Sequence, residues 1–401
     1  MSAFFLHNMR EATRLTKAGK LAEAMRLLQG KADPPSDGAQ REPGAQREPG
    51  APSTRLIGSR VAPAQDARSE FAAAETLGPV IGKRWAQLAR KMPAFHGGLP
   101  KAGLPGVGSP SRRPPAAPLP EGARFETRSY ANAAGSRTYK VYVPSGYEGQ
   151  SLPVVVMLHG CTQDPDDFAA GTRMNEVAEE QTFLVVYPCQ PKSANLQKCW
   201  NWFNLGDQQR HGGEPSLIAG IALEVVAAFS ADPSRVYVAG LSAGGAAAAI
   251  LAATHPDVFA AVGVHSGLAC GAARDIPSAF AAMSGGGAVV PRAGGPIVPT
   301  IVFHGDADAT VNPINGEQVI AQGKPAAGLR KVVTRGDTPA GMAYTRTAHV
   351  GASGAALLEH WQLHGAGHAW SGGSASGSFT DPRGPDASRE MIRFFLDHRR
   401  G

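Results

Sequence analysis

From residue 123 to its end, this 401-residue chain reads as an α/β domain around a mostly parallel sheet. Three observations predict it. Short apolar runs recur at intervals long enough for a helix, as a sheet covered on both faces requires. Several runs end in glycine followed by residues capable of chemistry, as expected where loops leave the carboxyl ends of parallel strands. One junction, VYVAGLSAGGAAAAIL (236–251), passes from β-branched residues through glycines into an alanine tract, the pattern of a strand, a sharp turn and a helix.

In chain order, RTYKVYV (137–143) alternates apolar and polar residues and predicts a strand with one solvated face. LPVVVMLHG, TFLVVYP, RVYVAGLSAG, FAAVGVHSG, PTIVFHGDAD and LEHWQLHG then supply the buried strands. In the third of these, Gly240 and Gly244 leave room for a strained turn that lifts Ser242 above the sheet. Ser242 is therefore the candidate nucleophile. The stretch SGGGAVVPRAGGPIVP (284–299) predicts a flexible insertion flanking the cleft.

Partners for Ser242 are sought at the other strand ends. After VVVMLHG comes Cys161, whose N–H would pair with that of Ala243 to hold a developing oxyanion; His159 beside it reads as a structural histidine. After TIVFHG come Asp306 and Asp308, which compete for the acid role, and after HWQLHGAG comes His368. Aspartate after a strand is commonly a turn former, and histidine among glycines a loop residue. Together, in the order Ser, Asp, His, they match the α/β-hydrolase order and no other familiar one.

LHGCTQD, the YP followed by CWNWF, GGEPSLIAGI, the elbow with its flanks, FHGDADATVNPIN and HGAGHAWSGG together resemble the poly(3-hydroxybutyrate) depolymerase-like esterases of the α/β-hydrolase superfamily, over about 125–398. The resemblance implies a triad of Ser242, Asp308 and His368, with Asp306 and His364 as the alternatives set aside. It implies hydrolysis of short hydroxyacyl esters, of polyhydroxybutyrate-type polyester or of its oligomers, with acetyl-xylan or feruloyl esters as the rival substrates. With no further domain expected after the hydrolase, soluble esters are the favoured substrates over crystalline polymer. Trp200, Trp202 and Trp370 are candidates for the wall of an acyl pocket. Neither metal nor organic cofactor is expected, since no Cys/His cluster has ligand spacing and no phosphate-binding loop remains unexplained.

The net charge of +6 is uneven: residues 1–124 hold 19 Lys and Arg against 10 Asp and Glu. A helical hairpin is expected at 1–31, where Phe5, Met9, Ala12 and Leu15, then Leu21, Met25 and Leu28, lie at helical spacing. A Pro/Gly-rich linker is expected at 32–122, with a short helical segment near 69–92. The non-enzymatic alternative gives this region the leading role, docking the chain on an anionic or hydrophobic surface such as a granule; the favoured reading is a solvated basic extension whose helical pair packs on its own hydrolase domain or on a second copy. No basic stripe interleaves with aromatics, so nucleic acid is not an expected partner. No window approaches 18 uncharged apolar residues, and the N-terminus reads as lacking a conventional signal peptide. Cys161, Cys189, Cys199 and Cys270 are compatible with two disulfides, expected as Cys161–Cys199 and Cys189–Cys270. Compartment is thus pulled both ways: the family resemblance and disulfides favour an extracellular one, the N-terminus the cytoplasm.

Overall fold

The computed structural model describes residues 118–288, 297–324 and 328–401. The expected hairpin at 1–31, the segment near 69–92 and the linker as far as residue 117 lie outside the described residues, and so does any docking role for them. Residues 289–296 of the glycine-rich insertion lie outside them too.

The described residues form an α/β-hydrolase fold. A ten-stranded sheet runs in the order β1-β2-β4-β3-β5-β6-β7-β10-β9-β8. Its centre consists of β3 (Val154–Leu158), β4 (Leu184–Pro188), β5 (Val236–Leu241), β6 (Ala261–His265), β7 (Thr300–Gly305) and β10 (Ala356–Leu363), all mutually parallel. Antiparallel strands close both sides: β1 (Arg124–Asn132) and β2 (Gly135–Val143) beyond β4, β9 (Ala343–Val350) and β8 (Arg330–Asp337) beyond β10. Two further short strands, β11 (Trp370–Ser371) and β12 (Thr380–Asp381), pair with each other.

The central strands are apolar on both faces because both are covered. In β3, Val154, Val156 and Leu158 enter one core while Val155 and Met157 enter the other, all at most 1% exposed. Each such side chain contributes about 1.5–3 kcal/mol relative to exposure. The first core is covered by α3 (Gly213–Ala228), α4 (Ala243–Thr254), α5 (Ile276–Gly285) and α6 (Ile314–Gly323). The second is covered by α1 (Pro165–Thr172), α2 (Met174–Gln181) and α7 (Ala387–Leu396). α4 is apolar all round, so it must be interior, and residues 243–251 are buried. α7 is amphipathic instead: Met391, Ile392, Phe394 and Phe395 face the core, and the Asp386 side chain caps the helix by accepting from Arg389 N–H at 3.0 Å.

Candidate active site

Ser242 sits between β5 and α4 with φ 59° and ψ −118°, a left-handed conformation that costs a non-glycine residue on the order of 1–3 kcal/mol. The turn is held because Ser242 N–H donates to His265 O (2.8 Å) and its own carbonyl accepts from Ala246 (2.9 Å). Glycine is required on either side: a Cβ on Gly244 would run into the Leu158 carbonyl, and one on Gly240 into Gly244 itself.

Asp308 and His368 come from the loops after β7 and β10, neighbouring strands. Asp308 Oδ2 lies 2.7 Å from His368 Nδ1, and Oδ1 accepts from the N–H groups of Thr310 and Val311, both at 2.9 Å. Burial alone would raise the Asp308 pKa, but the His368 bond and charge and the Val311 N–H outweigh it and hold the group below the usual carboxylate range. The aspartate is therefore ionised at neutral pH and fixes the histidine with Nε2 directed away from it. Asp306, the competing acid, pairs with His364 instead: Oδ2 to Nδ1 is 2.9 Å.

Beneath these residues lies His265, fully buried and stacked between Trp370 (5.1 Å between ring centroids) and Phe303 (5.8 Å). Its Nε2 accepts from Ser371 N–H at 3.0 Å. Burial, aided by the charges of His304 and His368, pushes its pKa down to about 3, so it is a neutral packing piece.

The loop after β3 lies against the elbow, since a Cβ on Gly160 would sit 3.7 Å from Ser242 Cβ. Gly160 N–H donates to Gln163 Oε1 (2.9 Å) and Thr162 N–H to Gln197 O (2.6 Å). Between them, the Cys161 N–H makes no hydrogen bond among the described residues. The Ala243 N–H belongs to the first turn of α4, where amides have no partner within the helix. His159 is the structural residue expected: wholly buried, it places Nδ1 2.8 Å from Gly160 O, accepts from Gln190 N–H at 3.2 Å, and has its pKa lowered to about 4 by burial.

Cys161 is joined by a disulfide to Cys199, which ties this loop to the KCWNWFN segment. The second expected bridge is not formed; Cys189 and Cys270 are both thiols. Cys189 is fixed to β2 through its N–H to Thr138 O (2.9 Å), and Cys270 to α6 through two bonds with Gln322 (3.0 and 2.8 Å). Three strand spacings, roughly 14 Å, separate the strands they follow, against a Cα reach of about 7 Å for a disulfide.

A pocket opens beside Ser242 and Ala243. The rest of its lining is the Cys161–Cys199 disulfide, Trp202, Leu268, Val311 and three residues of α5, Ala279, Phe280 and Met283. None of these carries a charge. Trp202 is among the residues that line this pocket, whereas the expectation that Trp200 and Trp370 wall it is corrected. Trp200 is fully buried and donates from Nε1 to His159 O (3.1 Å), underneath the loop. Trp370 is 1% exposed, turned inward onto His265 and Phe168, with Nε1 donating to Ser388 Oγ (3.1 Å). Trp202→Ala is expected to lower kcat/KM for short-acyl esters by about ten- to a hundredfold and, because the ring is also packed in the core, to lower the thermal midpoint; steady-state kinetics on folded protein beside a melting curve checks both.

Sequence reasoning missed the α5 wall, although Phe280 and Met283 lie three apart and therefore on one helix face. It also missed why GGEPSLIAGI is there. Buried Glu214 accepts from Asn201 N–H (2.7 Å), Asn201 Nδ2 (2.8 Å) and Gln190 Nε2, and so supports the Trp202 loop from below. Burial, then the nearby charge of Asp207, raises the Glu214 pKa above the usual range. Among the described residues, no group of three or more His, Cys, Asp or Glu side chains is arranged to hold a metal ion, and no helix is long and apolar enough to cross a membrane.

The poly(3-hydroxyalkanoate) depolymerase C of Paucimonas lemoignei is 36% identical over 258 residues, 61% of each chain, so the match spans about three fifths of that relative's length. Feruloyl esterase B of Neurospora crassa is 34% identical over 140 residues, 35% of this chain and 46% of that one. Among solved structures, an acetyl xylan esterase from Aspergillus awamori superimposes with a TM-score of 0.52 at 20% identity, covering 68% of this chain and 98% of that one, which is a likeness of fold. The sequence profile described as Esterase PHB depolymerase matches residues 137–341, and the chain belongs to that esterase family.

Proposed function

We propose that this protein is a serine-dependent carboxylic ester hydrolase for short hydroxyacyl esters, including polyhydroxybutyrate-type oligomers. The observation that carries the reading is the strained Ser242 at the mouth of an uncharged pocket, with the 2.7 Å Asp308–His368 pair on neighbouring strand ends. In this reading His368 takes the Ser242 proton as Oγ attacks the ester carbonyl, Asp308 stabilises the imidazolium that results, and the N–H groups of Cys161 and Ala243 stabilise the oxyanion. The alcohol leaves with the proton from His368. Water then attacks the acyl enzyme by the same route and regenerates Ser242.

The apolar lining supports a small, uncharged acyl group over a carboxylate-bearing or extended one. The disulfide supports an oxidising compartment for the folded enzyme. Relatives named as feruloyl and acetylxylan esterases keep a second reading in view, in which the acyl group is aryl or acetyl and the alcohol a carbohydrate. Assay of butyrate and 3-hydroxybutyrate esters and oligomers beside acetylxylan, feruloyl esters, amides and phosphate esters decides between them. Turnover of hydroxybutyrate oligomers above the others is expected. Preference for acetylxylan or feruloyl esters would select the second reading, and no ester turnover by folded protein would reject both.

A further inference from the structure

The two loops that carry Asp308 and His368 are joined a second time, farther out. Asp306, two residues before Asp308, uses both carboxylate oxygens on the other loop: Oδ2 pairs with His364 Nδ1 (2.9 Å) and Oδ1 accepts from Gly365 N–H (2.7 Å). The other ring nitrogen of His364 lies 2.9 Å from Thr345 Oγ1 on β9, and the His364 N–H donates to Ala343 O at 2.9 Å. Backbone bonds run alongside, from Asp306 N–H to Leu363 O (3.0 Å) and from Ala307 N–H to Ala366 O (3.1 Å). Two Asp–His pairs therefore bridge the same two loops in parallel, an inner one that is largely buried and an outer one that is more exposed and anchored to β9.

We propose that Asp306 and His364 are positioning residues, which with Thr345 fix the separation and tilt of the loops so that Asp308 and His368 meet in reactive register. The proposal rests on the reading of Asp308–His368 as the acid–base pair. The outer side chains are 32% and 38% exposed, and exposed ion pairs add little to global stability. Their effect falls on geometry, where displacement of a reacting group by about 1 Å can cost on the order of a hundredfold in rate. His364 Nδ1 thus faces the Asp306 carboxylate, an acceptor, and Nε2 faces the Thr345 hydroxyl, which can donate or accept. A glutamine amide offers one donor and one acceptor from the same position.

His364→Ala and Asp306→Asn in the full chain are expected to lower kcat about 10- to 100-fold, with KM within about threefold and an unchanged thermal midpoint. His364→Gln should recover most of the lost kcat, and the downfield Nδ1 proton of His368 should shift in the alanine variant but not in the glutamine one. Activity of His364→Ala within twofold of wild type would overturn the proposal, as would a loss that tracks the fraction unfolded and that glutamine does not rescue. Asp308→Asn is run beside them. A large loss there with none at Asp306 or His364 rejects the outer pair alone; no loss at any of the three rejects the inner pair's role as well. Thr345, His364 and Asp306 also reproduce the nucleophile–base–acid order, so labelling of Thr345 by a fluorophosphonate in Ser242→Ala protein would make it a second nucleophile and overturn the positioning role.

Discussion

Ser242→Ala is expected to lower kcat for any ester substrate by about 10⁴-fold or more, leaving only the contribution of the oxyanion donors and substrate binding. The substitution removes one oxygen from a half-buried side chain, and the Ser242 backbone bonds to His265 and Ala246 do not involve that oxygen. The domain should therefore stay folded. Alanine keeps the same strained φ of 59°, so the thermal midpoint should move little. Reaction with a fluorophosphonate probe should disappear in the same variant. Residual turnover within a hundredfold of wild type, or continued labelling, would place the nucleophile elsewhere.

Stability is expected to fall steeply as the solution is acidified from pH 6.5. His159, His255 and His265 are 0%, 5% and 0% exposed, and burial lowers their pKa values to about 4, 4 and 3. In the unfolded chain each takes a proton as pH drops through about 6.5, while the folded domain refuses it until near pH 4 or below. Unfolding therefore takes up protons in that window. The stability these neutral rings permit is fully present above pH 6.5 and is lost as pH falls. At about 1.4 kcal/mol per pH unit for each proton, three such groups give a slope of about 4 kcal/mol per pH unit near pH 5. Typical domains have only about 5–15 kcal/mol in total. Glu214 works the other way, because a raised carboxyl pKa favours the folded state at low pH, so it offsets part of the slope. Urea midpoints measured from pH 7 to pH 4 test this, and a flat profile between pH 7 and 5 would refute it.

What could be read from the residues depended on burial. β3, β5, β6 and β7 announced themselves because both of their faces are covered, which forces continuous apolar runs. β1, β8 and β9 passed unseen for the converse reason. RKVVTRGD of β8 is exposed or half-exposed at every position, and no apolar run or strict alternation marks it as a strand. The elbow was legible because strain at Ser242 demands glycine at fixed places around it. Aspartates two apart after β7 were not distinguishable by strand pattern, since each finds a histidine partner; the resemblance alone favoured Asp308, whose pair with His368 is the more buried of the two. The tryptophans misled because nearness in sequence says nothing of side-chain direction: Trp370 follows His368 by two residues yet points into the core. The cysteines divided similarly, with Cys161 and Cys199 brought together by the loop that packs over Trp200 while Cys189 and Cys270 were carried to different strands.

The helix that contributes three residues to the pocket carries a consequence for how such a protein can change. α5 lies wholly within the excursion between β6 and β7, and it contributes Ala279, Phe280 and Met283 to the pocket while supplying none of Ser242, Asp308 or His368. Its own start is secured locally, by the reciprocal bonds of Asp275 and Ser278. Part of the pocket wall therefore comes from a stretch of chain that carries none of the proposed triad, while Ser242, Ala243, Cys161 and Val311 serve both the pocket and the proposed reactive centre. Because the end of α5 is also hydrogen-bonded to Asn312 and Asn315 in the segment after Asp308, a side-chain change at Phe280 or Met283 reshapes the pocket from within, whereas a change in the backbone of α5 is felt at the loop that carries the aspartate.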